Sequence, residues 1–266
     1  MKTEVMGNIP KYVQEGKVVI KTYKNELIEG SPKADNAWRK GYVIVHPDEK
    51  SMDGIGTICG IVEEDSEIQV ISMFPWVDKG RVYSFPLEKV YVWDNGFEAQ
   101  LEVDIGFTTI YFYDIHYTIN RRWYMQNITY KFQILGIAYG ASYRKETEIE
   151  IDTLDELAKT LGLELGAKRK YTLTGMASLL PIDSWDIDDY SFSGLITQVQ
   201  EIEIELIKEK AWVCSTTVLK SGIDDVEYDI DILITSRVWQ ELNPPKIGDD
   251  IVGNLWLQGK MIDVEF

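Results

Sequence analysis

The chain has 266 residues, two cysteines, a 45 % hydrophobic share and a formal charge of −17. That length and apolar content suit one large or two ordinary domains whose core needs no disulfide framework, and no stretch approaches the ~20 apolar residues of a membrane span. The acid is uneven: residues 171–266 hold 18 acidic and 6 basic side chains, a balance that repels phosphate backbones and disfavours broad nucleic-acid binding there.

No apolar run follows Lys2 in MKTEVMGNIP, so no signal peptide is expected and cytoplasmic residence is the default reading. The first 86 residues form a β-rich segment. Strands are predicted at Lys17–Lys21, Gly41–Val45, Thr57–Val62 and Ile68–Met73, the last two separated by the acidic turn Glu63-Glu64-Asp65-Ser66. Pro75 and Pro86 interrupt the pattern and place their neighbours at edges or in loops.

A first well-patterned unit covers 87–143. It opens with a strand at Val90–Trp93 and turns at Asp94-Asn95-Gly96, a strong hairpin signal. In the following strand Phe97, Ala99, Leu101 and Val103 alternate with Glu98, Gln100, Glu102 and Asp104, the mark of a half-buried strand with an acidic outer row. Further pieces run from Thr109 to Tyr117, through Asn120–Tyr124, and from Tyr130 to Tyr139.

A helical connector, 144–189, follows. Thr153-Leu154-Asp155-Glu156 has the form of a capping box, with Leu154, Leu157, Ala158 and Leu161 on one stripe and Gly162 as the stop. Lys168-Arg169-Lys170 reads as a basic turn, and Asp183–Asp189 as an acidic linker.

The last unit, 190–266, patterns most clearly. Ile202, Ile204 and Leu206 alternate with Glu201, Glu203 and Glu205, and Tyr228, Ile230, Ile232 and Ile234 with Asp229 and Asp231. Trp212–Leu219 is a strand, Ser236–Leu242 a short capped helix, and Ile251–Leu257 a closing strand in which Gly253 and Gly259 mark bulges or bends.

The two units echo each other. Each has an acidic-faced strand, then a segment carrying Arg and Trp (Asn120-Arg121-Arg122-Trp123 and Ser236-Arg237-Val238-Trp239), then a closing strand with glycines (Gly136 and Gly140; Gly253 and Gly259). This order of strand, strand, strand, short helix and closing strands resembles the OB-fold, a small five-stranded barrel. The fold expected is therefore mostly β with one or two short helices: two related OB-like β-barrel units in tandem behind an N-terminal β-rich segment. The resemblance implies a binding module for oligonucleotides, oligosaccharides or proteins.

Reactive constellations are sparse. His46 and His116 lie in separate strands without partners at ligand spacing, so neither a metal nor any other cofactor is expected. His116 reads as a hydrogen-bonded core residue, and Cys59 and Cys214 as free, partly buried thiols. Acidic groups such as Asp224-Asp225, Asp229/Asp231 and Asp249-Asp250 read as the wet sides of strands and turns.

The best candidate site is aromatic. Tyr111, Tyr113 and Tyr117 share one face of their strand, and Arg121, Arg122 and Trp123 follow with positive charge. Such a surface suits stacking on bases or sugars, or a protein hot spot, unless it is buried between units. The leading functional expectation is a non-catalytic binding or protein-interaction protein, an inhibitor or adaptor with a basic protein partner drawn to its acidic unit. Two alternatives are single-stranded nucleic-acid binding through the Tyr/Arg face and a divalent-metal hydrolase using the acidic clusters.

Overall fold

A computed structural model describes residues 17–23, 40–46, 55–64, 67–152, 168–204, 207–221 and 226–265, with side chains from residue 70 onward apart from 71, 149, 151–152, 168–169 and 264–265. The chain is mostly β, as its alternation predicts. β1 (Lys17–Tyr23), β2 (Lys40–His46), β3 (Ile55–Glu64) and β4 (Glu67–Val77) form an antiparallel meander. Then come β5 (Arg81–Val92), β6 (Ala99–Asp104), β7 (Thr109–Asp114), a one-turn helix α1 (Tyr117–Asn120) and β8 (Thr129–Tyr143). β9 (Glu148–Asp152) and β10 (Lys168–Thr172) pair with each other. β11 (Ser178–Pro181), β12 (Asp189–Ile204), β13 (Glu209–Lys220), β14 (Glu227–Thr235) and β15 (Asp250–Glu265) complete the chain.

Several local expectations are corrected. The strand expected to reach Tyr117 ends at Asp114, whose carboxylate accepts the His116 amide at 2.9 Å and turns the chain into α1. Asn120–Tyr124 is accordingly a helix end and turn. The helix expected at Ser236–Leu242 is a turn with an isolated bridge between Trp239 and Ala141. There the Glu209 carboxylate takes both the Ser236 hydroxyl and the Arg237 amide, so Ser236 is not free to cap a helix. Lys168–Lys170 is strand, not turn. Pro75 and Pro86 lie inside β4 and β5; β4 ends its sheet, whereas β5 pairs with both β6 and β8. Pro86 falls where β5 changes partner, from Thr129 of β8 to Val103 of β6 at the next residue, so its missing N–H is tolerated. The capping box at Thr153 lies outside the described residues.

The alternating rows behave as expected in β12, where Glu201 and Glu203 face water between Ile202 and Ile204. In β6 Ala99, Leu101 and Val103 are fully buried and Glu102 and Asp104 partly so, but Gln100, expected on the outer row, is buried too. In β14 the acids are not simply wet. Arg81 lies 3.3 Å from Asp231 and 3.7 Å from Asp229, and the Ser215 and Thr217 hydroxyls donate to the same pair.

Strands from both halves share one nine-stranded sheet, and its pairings repeat one scheme. β5 pairs with β6, β6 with β7 and β5 with β8; likewise β12 pairs with β13, β13 with β14 and β12 with β15. β7 then runs parallel to β15, β14 runs parallel to β8, and β8 and β15 pair antiparallel with each other. The result is two rings of five strands that share the β8–β15 ribbon: β5-β6-β7-β15-β8 and β12-β13-β14-β8-β15. Each first strand is bulged against its second, between Leu87 and Lys89 in one ring and between Ile196 and Gln198 in the other. The main core, with Phe112, Phe132, Phe192, Ile232 and Leu255 all nearly or fully inaccessible, draws on both rings.

The closing-strand glycines mark close approach. A Cβ on Gly253 would stand 2.1 Å from the Gly140 carbonyl oxygen, whereas one on Gly140 would meet only the Gln240 amide at 3.4 Å. The bulges fall at neither Gly253 nor Gly259 but at Tyr139, next to Gly140, and at Ile262, which drop out of the register. Gly253→Ala is expected to cost about 2 kcal/mol or more, because backbone on both sides must shift, and Gly140→Ala to stay within about 0.5 kcal/mol. Urea unfolding of the two variants checks this; equal losses would contradict the crowding at Gly253.

Candidate functional site

A cleft of about 320 Å³ opens where β4, the β5–β6 hairpin, β7, β8, the turn before β12 and β15 converge. Its floor is Tyr113, which is buried at 2 % exposure. Trp93, Tyr139 and Trp256 stand around it, and Phe74 packs edge-on against the Tyr113 ring at 4.7 Å. Trp256 lies 5.0 Å and Trp93 6.2 Å from the same ring, inclined by 60° and 86°. These inclined rings make a concave aromatic wall rather than a flat stack.

Between the rings sit carboxylates: Glu98, Asp186, Asp188 and Asp189. The hairpin places Glu98. Gly96 takes the left-handed conformation (φ 68°), and the Asn95 side-chain oxygen accepts the Phe97 and Glu98 amides at 2.9 and 3.2 Å. The Asn95 amide donates to the Glu98 carboxylate, which also receives the Ser72 and Tyr113 hydroxyls, each at 2.8 Å. Asp188 is almost fully buried and receives the Gln100 amide at 2.7 Å and the Trp256 indole N–H at 2.8 Å. That burial pushes its carboxyl up to about 6, against the pull of the two donors. Asp189 accepts the Tyr139 hydroxyl at 2.7 Å.

Two sequence features build the acidic side. The turn is set by the Asp189 amide donating to the Asp186 carbonyl at 2.9 Å, with Ser184 at positive φ. Tyr139 reaches the cleft because it is the bulged residue of β8, skipped between the pairs Asn254↔Gly140 and Leu255↔Ala138. A bulge re-aims a side chain that regular alternation would place elsewhere. Trp185, half exposed on the same turn, packs edge-on to Tyr139 at 5.6 Å.

Of the residues singled out from sequence, Tyr113 lies in the cleft. Tyr111 is half-buried beside it on β7, its hydroxyl on Glu102 at 3.2 Å and its amide donating to the Tyr190 hydroxyl. Tyr117 and Arg121 are buried at 3 % and 2 % exposure, at the start and just past the end of α1. Arg122 and Trp123 are exposed on the turn that follows, Trp123 at 62 %. The strand's end at Asp114 is what separates Tyr117 from the other two tyrosines. The acidic turn, Tyr139, Trp93 and Trp256 were not singled out. The signal available was Asp183-Ser184-Trp185-Asp186-Ile187-Asp188-Asp189, an aromatic residue embedded among acids.

Among the described residues no group of three or more His, Cys, Asp or Glu side chains is placed to hold a metal ion, and no helix is long and apolar enough to cross a membrane. Cys214 is a free, buried thiol that burial pushes up to about 12. No protein-family model, curated protein or solved structure matches the chain.

Two buried ionisable groups, Asp114 and His116, follow Tyr113 in the chain. Burial raises the Asp114 carboxyl from 3.8 to about 7, although the Tyr124 hydroxyl and the His116 amide both donate to it. Burial lowers His116 from 6.5 to about 4, and Lys260 adds to the shift. The two act on stability in opposite directions. Between pH 4 and 7 the native state holds the Asp114 proton that the unfolded chain has released, so this group's contribution falls as pH rises. Between pH 4 and 6.5 the unfolded chain binds a proton at His116 that the native state refuses, so that contribution rises with pH. At roughly 1.4 kcal/mol per pKa unit, each is worth a few kcal/mol. Asp114→Asn is expected to make stability climb with pH relative to wild type over this range, and His116→Gln to make it decline. Urea unfolding at intervals from pH 4 to 7 measures both; parallel curves for all three proteins would contradict the burial of these groups.

Proposed function

We propose that this chain is a non-catalytic binding protein whose cleft accepts a cationic group presented by a basic partner. The observation that carries the reading is the aromatic wall of Trp93, Tyr113, Tyr139 and Trp256 enclosing the carboxylates Glu98, Asp188 and Asp189. Ring faces attract cations, and carboxylates add a field that a low-dielectric cleft strengthens. The net charge of −17 draws such a partner from a distance and raises its rate of encounter. Exposed Trp185 and Ile187, on the turn whose aspartates line the cleft, supply apolar contact of the kind that dominates protein hot spots.

The architecture supports a binding role. We infer that the two strand rings are OB-like barrels that share their last strands. In the first ring the order β5-β6-β7-β15-β8 places the first, second, third, fifth and fourth strands around a barrel, with α1 between the third and fourth. Barrels of this kind bind ligands on the face of strands two and three and on the loop between strands one and two. Here Trp93 and Glu98 belong to that loop and Tyr113 to strand three.

The test uses Trp fluorescence with a Lys/Arg-rich peptide and its Glu-substituted counterpart. The basic peptide is expected to bind, more weakly as salt rises, and the acidic one not at all. The double variant Asp186→Asn/Asp188→Asn is expected to lose at least tenfold in affinity, about 1.4 kcal/mol. Equal binding of both peptides, or indifference to the double variant, would refute the reading.

A further inference from the structure

We propose that the cation held in this cleft is an alkylated ammonium group, a quaternary or trimethylated nitrogen, seated above Tyr113 between Trp93, Tyr139 and Trp256. The inference rests on the cation-binding reading and narrows it to one chemistry. Its basis is the way two of the cleft's carboxylates, Glu98 and Asp188, are already engaged, a further acid of the cleft, Asp186, being exposed to solvent.

Glu98 receives the hydroxyls of Ser72 and Tyr113 and the Asn95 amide. Asp188 receives the Gln100 amide on one oxygen and the Trp256 indole on the other. All five donors are neutral, so the negative charge survives while much of the acceptor capacity is taken. A Lys ammonium entering the cleft brings three N–H donors and an Arg guanidinium five, each costly to bury without an acceptor. A quaternary nitrogen brings none. It asks only for a negative field and ring faces, and it gives up its weak hydration cheaply.

The rings are suited to this. Tyr113 and Tyr139 donate their hydroxyl protons to Glu98 and Asp189, which enriches the ring faces in electron density and strengthens their pull on a cation. Trp93 and Trp256 are inclined to the Tyr113 ring and Tyr139 lines the same cleft, so the methyl groups of the cation would meet apolar carbon on several sides. The volume of about 320 Å³ is at the small end for ligand sites, enough for a head group and the first carbons of its tether.

Two sources carry this chemistry: a trimethylated lysine in a protein, and a free choline-type molecule. Calorimetric titrations of the full chain would use tetramethylammonium chloride, choline chloride, a trimethyllysine peptide, and the same peptide with unmodified Lys or with Arg. Tetramethylammonium is expected to bind, and the trimethylated peptide to bind at least tenfold more tightly than either unmethylated form. A peptide preferred over choline assigns the protein source; the reverse order assigns the small molecule. Trp93→Ala should reduce binding at least tenfold, with Trp93→Phe restoring part of it. Asp188→Asn, which can keep both hydrogen bonds if the Gln100 amide flips, should also reduce it at least tenfold. Trp123→Ala, at an exposed residue that does not line the cleft, should change nothing. Unmethylated Lys or Arg peptides binding as tightly as the trimethylated one overturns this inference and leaves the broader cation reading standing. Silence toward every cation overturns both.

Discussion

The antiparallel pairing of β8 with β15 holds the architecture together. It runs over 14 residue pairs, from Ile251 opposite Tyr143 to Glu265 opposite Thr129. Each strand gives one edge to the other along its whole length. Its second edge is divided, first to the opening strand of its own half and then to the third strand of the opposite half. Neither ring can close without a strand from elsewhere in the sequence. The stability of each is therefore tied to the other through contacts between residues about a hundred or more positions apart, a topology that folds slowly and yields little stable structure from either half alone.

That ribbon also shapes the cleft. Two long strands that coil together need local relief, and it comes as one bulge on each, at Tyr139 and at Ile262. The first turns a tyrosine of the pairing strand out to the aromatic wall, where its hydroxyl meets Asp189. Trp256, a few residues from Gly253 on the other strand, carries its indole N–H to Asp188. The shared element of the fold thus supplies one aromatic residue from each half, and the cleft exists only when both halves are assembled.

Alternation in the sequence reveals the strands because burial dictates period two wherever one face meets the core, as in Leu101–Asp104 and Glu201–Ile204. The hairpin at Asp94–Gly96 is legible for a different reason: its left-handed glycine and Asn side chain are local requirements. Partners are not legible. Nothing in Thr129–Tyr143 says that one edge will be divided between β5 and β14, since that choice is made by shape complementarity across the core. Short capped segments mislead for the same reason. Ser236 has the residue type of a helix cap, yet Glu209, buried at 7 % exposure, takes its hydroxyl instead. Of the Tyr/Arg face only Tyr113 reaches the cleft, while the acidic stretch before β12, read as a linker, proves to be a wall of it.

The molecule treats its buried carboxylates in two ways. Glu209 is paired with Arg237 at 3.0 Å, Asp250 with Arg144 at 3.0 Å, and Asp231 with Arg81 at 3.3 Å. In each case an opposite charge offsets the cost of leaving water, and the acid serves to position backbone or a neighbouring strand. Glu98 and Asp188 are stabilised instead by hydroxyl, amide and indole donors, which hold the carboxylate in place without cancelling its charge. For Asp188 the desolvation cost is visible in a carboxyl raised to about 6. In this cleft the carboxylates are held by neutral donors and set among aromatic rings. A cation arriving in the cleft would supply the charge that Arg supplies at the other three acids, lowering the same desolvation cost, and that gain is available only when the cleft is occupied.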